Sequence, residues 1–381
     1  MLSKSLKILV ALGLSIIVFN YCNTLDYFDK NKEQSDRLIT SISKLKLINS
    51  LSLLEKKANS MLDKDFKTVI DKSIIAPSRN KNDYTSRAIY YWPKDNLKKN
   101  STKDEIWEYV DGKVNKESLI ETDHNNYYEV LGAIKTLALS FHLFQEDKYA
   151  EKTVELIKNW FINKKTRMNP HFNYAQAIPG KNSGTPSGII DARGVLWVVD
   201  AVNLISKSTY WNDNLDLEFR QWTEKLFEWL LKSDFGIRES QAKNNHGTFY
   251  DLQIIKLSSF LGEYSIAENY IDSVKINRIA HQIEPNGFQT EEMKRTKSNM
   301  YAVFNLSALL EIATIARTYE HDLWNYKAKD SGSIKDAVDY LLSNADYKNQ
   351  SDTKNLLRIL PKANELSGGK YNKVINKIKS E

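Results

Sequence analysis

The chain has 381 residues, 41% hydrophobic and 11% aromatic, so it is long enough to bury a sizeable core in one large domain or two. Its 54 basic and 48 acidic residues give a net charge of +6, which suits a polyanionic partner without requiring one, and no basic run or motif indicates nucleic-acid binding. A single cysteine excludes an internal disulfide, and the six histidines show no metal-ligand spacing, so neither a metal nor a cofactor is expected.

The first 22 residues have the pattern of an export signal. Lys4 and Lys7 precede an apolar run at residues 8–19, which is short for a membrane span and has the length of a signal-peptide core. No small-x-small cleavage site follows, and Cys22 stands where a lipoprotein cysteine would, behind a poor lipobox. Residues 1–22 are therefore predicted to be a signal peptide or an N-terminal membrane anchor, with lipidation at Cys22 as an alternative. The protein is expected to be exported, either to the periplasm or tethered to the envelope.

A polar, lysine-rich segment at residues 23–60 predicts a tether that leads into a first helix. Further along, residues 83–93 are rich in aromatics and end in Trp-Pro, which favours an extended conformation. Tyr90, Tyr91 and Trp92 could form one wall of a binding cleft or pack beneath the core.

From residue 123 onward the hydrophobic spacing predicts a succession of helices. A short turn at Gln145 and Glu146 joins the first two as an antiparallel hairpin. Helices in hairpin order without a short sequence repeat predict an all-α toroid or solenoid. The predicted ranges are 124–143, 147–161, 191–206, 215–233, 246–262, 267–282, 298–318 and 333–343, followed by two shorter helices.

Residues 166–190 between the second and third of these helices are rich in helix breakers and predict a long loop. Structureless loops of this length are usually functional. Asn173, Tyr174 and Gln176 are the best candidates in it for contacts with hydroxyl or carboxylate groups. For Asp191 a helix N-cap, and for Arg193 a surface charge, is at least as plausible as contact with a ligand.

Residues 243–253 concentrate amides, a histidine and a tyrosine where a helix begins, with Asn245 as the predicted N-cap. His246, Tyr250 and Gln253 fall at i, i+4 and i+7, so they would line one face near the positive end of the helix, which suits an anionic ligand. The alternative is a capped core helix whose polar side chains make internal hydrogen bonds.

Five segments together resemble, in the same order, the signatures of the alginate-lyase-like family of polysaccharide lyases. They are DYTSR with YYWP (83–93), DG (111–112), TRMNP with YAQ, PG and GIID (166–191), NNHGTFYDLQ (244–253), and PNGFQ with RT, Tyr301 and FNL (285–306). The resemblance covers about residues 83–310, and Met300 is one departure from it. It implies an incomplete (α/α) barrel of antiparallel hairpins, with a single lyase domain at residues 61–381, and an acidic polysaccharide as the partner.

The family resemblance also implies a chemistry: β-elimination at a 4-linked uronic acid. Asn245, His246 and Arg295 would neutralise the substrate carboxylate. Tyr301 is expected to be the base and the acid, and His246 could share the base role. The predicted substrate-binding residues are Asn244, Tyr250, Gln253, Asn173, Tyr174, Gln176, Tyr91 and Trp92, with Tyr250 as the reserve base.

Two other functions stay open at this level. A glycoside hydrolase on the same fold would need two paired carboxylates, with candidates in Asp191, Asp251, Glu284 and Glu292. A non-catalytic envelope protein that binds an exopolysaccharide would keep the groove without the chemistry. The sequence does not indicate the uronic acid polymer, endo or exo action, or the oligomeric state.

Overall fold

The computed structural model of the protein describes residues 44–94 and 106–380. The predicted signal or anchor at residues 1–22, with Cys22, lies outside these residues, and so does most of the predicted tether. The first helix expected at the end of that tether is present as α1 (Lys44–Leu62).

The domain is a succession of helices, most of them within three residues of the predicted bounds. Two hairpin helices, α3 and α8, continue into π-helical turns at Lys158–Ile162 and Lys275–Ile279. Two short helices, α6 and α10, were not predicted. After α1 the helices are α2 (Asp123–Phe144), α3 (Asp147–Ile157), α4 (Val195–Ile205), α5 (Asp213–Lys232), α6 (Asp234–Ser240), α7 (Asn245–Leu261), α8 (Tyr264–Val274), α9 (Ala280–Gln282), α10 (Thr290–Met293), α11 (Ser298–Thr318), α12 (Ile334–Asn344), α13 (Gln350–Leu366) and α14 (Asn372–Ser380).

The predicted turn between α2 and α3 is confirmed. Gln145 adopts a left-handed conformation with φ of 56°, and its backbone N–H donates to the carbonyl of Phe141 at 2.8 Å. This bond satisfies one of the carbonyls left unpaired at the end of α2, so the chain can reverse and start α3 two residues later.

The helices form an inner and an outer layer. The inner helices α2, α4, α7, α11 and α13 contact one another in series, while α3, α5, α8 and α12 pack outside them. Each inner helix therefore buries apolar side chains both against neighbouring inner helices and against the outer helices. This arrangement is the predicted incomplete α/α toroid.

A buried network of charges connects the inner helices. The Lys256 ammonium on α7 lies 2.8 Å from Asp200 on α4 and 3.3 Å from Glu311 on α11. Lys362 on α13 pairs with the other oxygen of Glu311. Burial raises the pKa of Asp200 to about 6, and Lys256 opposes that shift. On α2, burial lowers the pKa of Lys135 to about 8, against the attraction of Asp200.

Four short strands accompany the helices. β1 (Thr85–Arg87) and β2 (Tyr91–Pro93) lie in the segment predicted to be extended. β2 pairs antiparallel with β3 (Trp107–Tyr109), and β1 pairs parallel with β4 (Tyr174–Ala177). β4 and a 3-10 helix at Pro186–Gly194 lie in the stretch predicted to be a structureless loop, so that prediction is wrong in part. The chain becomes ordered there because β4 finds a partner that is distant in sequence.

The predicted cap at Asn245 is displaced by one residue, and so is the cap that the residue type of Ser298 would favour at α11. Asn244, not Asn245, caps α7, since its side-chain oxygen accepts from the backbone N–H of His246 at 3.1 Å. At α11 the N-cap position is Lys297, and Ser298 is the first helical residue. Asp191 does not cap α4, because it lies inside the preceding 3-10 helix.

One of the two C-terminal helices predicted to be short, α13, is longer than expected. α13 has 17 residues rather than being short, and it contains Pro361. A proline inside a helical pattern predicts a helix end or a kink, so the sequence alone favours an early stop.

Within the described ranges, α11 is the one helix that is long and apolar enough to cross a membrane by length and composition. Most of its apolar side chains are buried by neighbouring helices. Its apolar composition is therefore explained by its place as a core helix of the toroid.

We expect Gly247→Ala to destabilise the protein by about 1–3 kcal/mol. A Cβ at position 247 of α7 would lie 2.0 Å from the carbonyl oxygen of Ala242 and 2.6 Å from Arg278, so backbone would have to move. The measurement is the free energy of unfolding in urea.

The matched control for this prediction is Gly132→Ala in α2, where an added Cβ meets no heavy atom within 4 Å. Alanine favours the helix there, so stability should be unchanged or rise by up to about 1 kcal/mol. Equal effects at the two glycines would contradict the close packing at Gly247.

Candidate functional site

A cleft of about 520 Å³ lies where the N-terminal ends of inner helices meet. His124 lines it from the first turn of α2, Arg193 from just before α4, His246 from the start of α7 and Tyr301 from the first turn of α11. Because each helix N-terminus carries a partial positive charge, the convergence of several favours an anionic ligand. The predicted site residues that line the cleft are Tyr91, Gln176, Asn244, Asn245, His246, Arg295 and Tyr301.

The His246 imidazole is held by a carboxylate that the sequence did not single out. Its Nδ1 lies 2.6 Å from an oxygen of Glu239, whose side chain is only 5% exposed. A carboxylate accepts hydrogen bonds, so Nδ1 carries the proton in the neutral ring and Nε2 has the free lone pair. Glu239 therefore fixes both the orientation and the tautomer of His246.

Asn245 is held in the same manner by Glu292 from α10. The Asn245 backbone N–H donates to Glu292 at 2.6 Å, and its side-chain nitrogen lies 3.0 and 2.9 Å from the two carboxylate oxygens. The amide nitrogen of Asn245 is thus turned away from a ligand, and its Oδ1 is the atom left to make contacts. Burial raises the pKa of Glu292.

Tyr301 and Arg295 form one unit with Tyr90 and Asp111. The Tyr301 hydroxyl donates to that of Tyr90 at 2.6 Å, and the Arg295 guanidinium lies 3.7 Å from the centre of the Tyr301 ring. Arg295 donates through Nε to Asp111 at 3.0 Å and also through Nη2. The predicted neighbours Arg295 and Tyr301 are therefore in contact, and Asp111 holds the cation against the phenol.

Electrostatics define the resting state of this unit. Burial raises the pKa of Tyr301 and the hydrogen bond with Tyr90 adds to the rise, while Arg295 opposes it. The free protein therefore holds Tyr301 as a protonated phenol at neutral pH. The hydrogen bond from Arg295 holds the pKa of Asp111 well below its usual range, so this carboxylate is charged.

Four arginines line the cleft, and their partners differ. Arg295 is paired with Asp111, and Arg193 donates to the carbonyl of Ile190 at 2.6 Å. The side chains of Arg87 and Arg358 make no hydrogen bond or ion pair within residues 44–94 and 106–380. The cleft thus has positive charge that the described part of the protein does not neutralise.

Tyr250 and Gln253 do not reach the cleft. The Tyr250 hydroxyl donates to the carbonyl of Leu230 at 2.9 Å, and the Gln253 amide donates to that of Phe249 at 3.0 Å. Both side chains are at most 2% exposed. This face of α7 is turned into the core, where backbone carbonyls accept from the Tyr250 hydroxyl and the Gln253 amide nitrogen, while the Gln253 Oε1 has no hydrogen-bond partner in the described part of the chain.

Three more predicted contact residues also lie outside the cleft. Asn173 accepts from the Trp229 indole at 3.0 Å, and the Trp92 indole donates to the carbonyl of Lys113 at 2.9 Å. Tyr174 lines a separate cavity. Of the predicted aromatic wall, Tyr90 and Tyr91 face the cleft.

The carboxylates considered for a hydrolase do not form a pair. Asp191 is the one of the four that lines the cleft, and it accepts from Ser86 at 2.7 Å and from Tyr84 at 3.1 Å. Asp251 is buried against Arg278, and Glu292 is bound to Asn245. In the described part of the chain, no group of three His, Cys, Asp or Glu side chains is placed to hold a metal ion.

Several residues that line the cleft or hold its side chains were not singled out by sequence analysis. Glu239 lies on the short helix α6, seven residues before His246, and no spacing rule joins residues on different helices. Asp111 was noticed only as part of a turn, and Arg358 lies beyond the motifs. Tyr90 belongs to the aromatic run considered as a cleft wall, but its hydrogen bond with Tyr301 was not predicted.

The chain is similar to known proteins. A family model described as Alginate lyase matches residues 68–351. The crystal structure of an alginate lyase from Bacteroides ovatus is 30% identical with a TM-score of 0.82, and the match covers 93% of each chain. Alginate lyase A1-III from Sphingomonas species A1 is 14% identical with a TM-score of 0.47 over 77% of each chain. A search of the curated proteins finds no match.

We expect Asp111→Asn to lower the free energy of unfolding by about 1 kcal/mol near pH 6, because it removes the charged partner of Arg295. The pKa of Asp111 is lower in the folded protein than its ordinary value of 3.8. Its stabilising contribution is therefore complete above pH 4 and is lost as the pH falls below that value. Urea unfolding of both proteins at pH 6 and pH 3 measures the difference.

The control for Asp111 is Asp272→Asn, which removes an ion pair whose aspartate is 55% exposed. Its effect should be close to zero at both pH values. A constant difference between wild type and Asp111→Asn across the pH range would contradict the charged bond to Arg295.

Proposed function

Because the chain belongs to the alginate lyase family, we propose that this polysaccharide lyase cleaves a 4-linked uronic-acid polymer of the alginate type by β-elimination. The observation that carries the proposal is the convergence of Asn245, His246, Arg295 and Tyr301 on one cleft at the helix N-termini. The hydrolase alternative is not favoured by the family or by the carboxylates of the cleft.

The reaction needs no reagent beyond the protein and substrate. A base removes the proton at C5, the electron pair forms a double bond between C4 and C5, and the C4–O bond breaks. An acid then protonates the departing oxygen. The C5 proton is weakly acidic beside a charged carboxylate, so the site must first reduce the charge on that carboxylate.

We assign charge neutralisation to Arg295 as a donor, to Asn245 as an acceptor, and, for mannuronate, to His246 as a donor through Nε2 in its protonated form. Arg295 retains Nη1 for the substrate after Asp111 has engaged its other donors, and the unpaired Arg87 and Arg358 add positive charge. Asn245 offers Oδ1, which accepts a hydrogen bond from the substrate carboxyl when that group carries a proton.

We assign protonation of the leaving oxygen to Tyr301, because burial raises the pKa of its phenol and keeps it protonated. For mannuronate, whose C5–H and O4 lie on the same face of the ring, we assign the base to Tyr301 as well. The phenol must first lose its proton to solvent water, which Arg295 against its ring favours, and the phenolate then takes the C5 proton and passes it to O4. For guluronate, where they lie on opposite faces, His246 is the base through the Nε2 that Glu239 leaves free.

The remaining substrate contacts are proposed for residues that face the cleft. The side-chain amides of Asn244 and Gln176 can bind sugar hydroxyls, and the Tyr91 ring can pack against an apolar sugar face. Polar groups of this kind fix the orientation of a ligand within a cleft.

The protein from residue 23 onward should raise ultraviolet absorbance when it is incubated with polymannuronate or polyguluronate, because elimination creates a conjugated unsaturated uronate. Tyr301→Phe should lower kcat by at least about a thousandfold while acidic oligosaccharide still binds. Initial rates and binding calorimetry measure both effects.

His246→Ala distinguishes the two bases. It should remove activity on polyguluronate while polymannuronate is cleaved at a reduced rate. Reducing ends without absorbance would instead support a hydrolase, and Tyr301→Phe with normal kinetics would exclude Tyr301 from the chemistry. The matched control is Tyr264→Phe, since Tyr264 is exposed and lies away from the cleft.

We also propose that residues 1–22 direct export and that the protein is periplasmic or tethered to the envelope. Cell fractionation should place the full chain in the envelope or periplasm and the chain from residue 23 in the cytoplasm. Cys22→Ser should release the protein from membranes if the cysteine is lipidated, and should not if the anchor is uncleaved. Full-length protein found wholly in the cytoplasm would contradict export.

A further inference from the structure

We propose that a second cavity beside the cleft is a distal subsite for a uronate residue of the same polymer, remote from the bond that is cleaved. The proposal rests on the proposed function. The cavity has a volume of about 450 Å³, which is enough for a sugar unit, and it shares Arg87 with the cleft.

The wall between the two cavities is the small parallel sheet of β1 and β4. Arg87 is the last residue of β1, and it lines both cavities. Opposite it, the pairing of β1 with β4 shifts register between Thr85 and Arg87. The two cavities are therefore separated by a short and irregular wall, and Arg87 borders both of them.

Because of this register shift, residues of β4 line different cavities. In a regular strand Tyr174 and Gln176 would point to the same side. Gln176 has φ of 49°, a left-handed conformation that is uncommon for a residue other than glycine. As a result Gln176 lines the cleft while Tyr174 lines the second cavity. Uncommon backbone of this kind concentrates at binding sites.

The lining has the chemistry that a uronate requires. A uronate ring has an apolar face, and Tyr174 together with the 42% exposed Ile75 offers apolar surface to it. Arg87 and the exposed Lys181 offer cations to its carboxylate. Within the described residues neither the Arg87 side chain nor the Tyr174 hydroxyl makes a hydrogen bond, so both can contact a ligand without losing a partner.

A polymer that fills both cavities would pass Arg87, so it would place one uronate carboxylate in the cleft and another in the second cavity. Binding energy gained in the second cavity is available only to substrates long enough to reach it. The enzyme should therefore prefer long uronate oligomers to short ones.

The test measures kcat/KM by absorbance for uronate oligomers of increasing length with Tyr174→Ala and Lys181→Ala. Each variant should lose about three- to tenfold on long oligomers and nothing on the shortest cleaved oligomer. Tyr264→Ala and Lys164→Ala are matched controls, because these exposed residues line neither cavity. Unchanged kinetics, or equal losses at all lengths, would overturn the subsite.

Failure of the proposed function gives a different result. If wild type produces no unsaturated uronate, calorimetry with the same oligomers measures the subsite directly. Weaker binding of long oligomers by Tyr174→Ala would then support the subsite without the lyase activity. Equal binding by wild type and variant, or none by either, would overturn it.

Discussion

Lys256 is the residue on which the inner layer of helices depends, because it lies between the carboxylates of Asp200 and Glu311. Buried ion pairs contribute little net stability, but removal of one partner leaves a costly buried charge. A helix that slid by one turn, roughly 5.4 Å, would break these pairs. The network therefore fixes the register of α4, α7, α11 and α13, and it does so ten residues along α7 from His246 and ten residues along α11 from Tyr301.

Carboxylates also position the site itself. Glu239 orients His246, Glu292 holds Asn245, and Asp111 holds Arg295 against Tyr301. Glu239 fixes the orientation of an imidazole ring, Glu292 prevents rotation of an amide, and Asp111 fixes the position of a guanidinium. The cleft keeps a positive character because these carboxylates are engaged from behind and beside it.

Apolar spacing and one turn predicted helices in hairpin order without knowledge of their partners, which left a toroid or a solenoid open, and the family resemblance selected the incomplete toroid. It also predicted four residues that do meet, since the family motifs carried Asn245, His246, Arg295 and Tyr301. Helical spacing could not show that the face with Tyr250 is turned toward α5. Likewise, nothing local shows that β4 pairs with a strand almost ninety residues earlier, or that Glu239 meets His246 from another helix.

Glu311 has a further consequence for a chain that is exported as proposed. α11 has the length and apolar composition of a membrane span, so an unfolded chain crossing a translocation channel could halt there. A carboxylate within the helix raises the free energy of insertion into lipid by roughly 3 kcal/mol. The same group that binds Lys256 and Lys362 in the folded protein thus opposes lateral escape of α11 into the bilayer before folding. Glu311 would therefore contribute both to the folded core and to complete translocation of the chain.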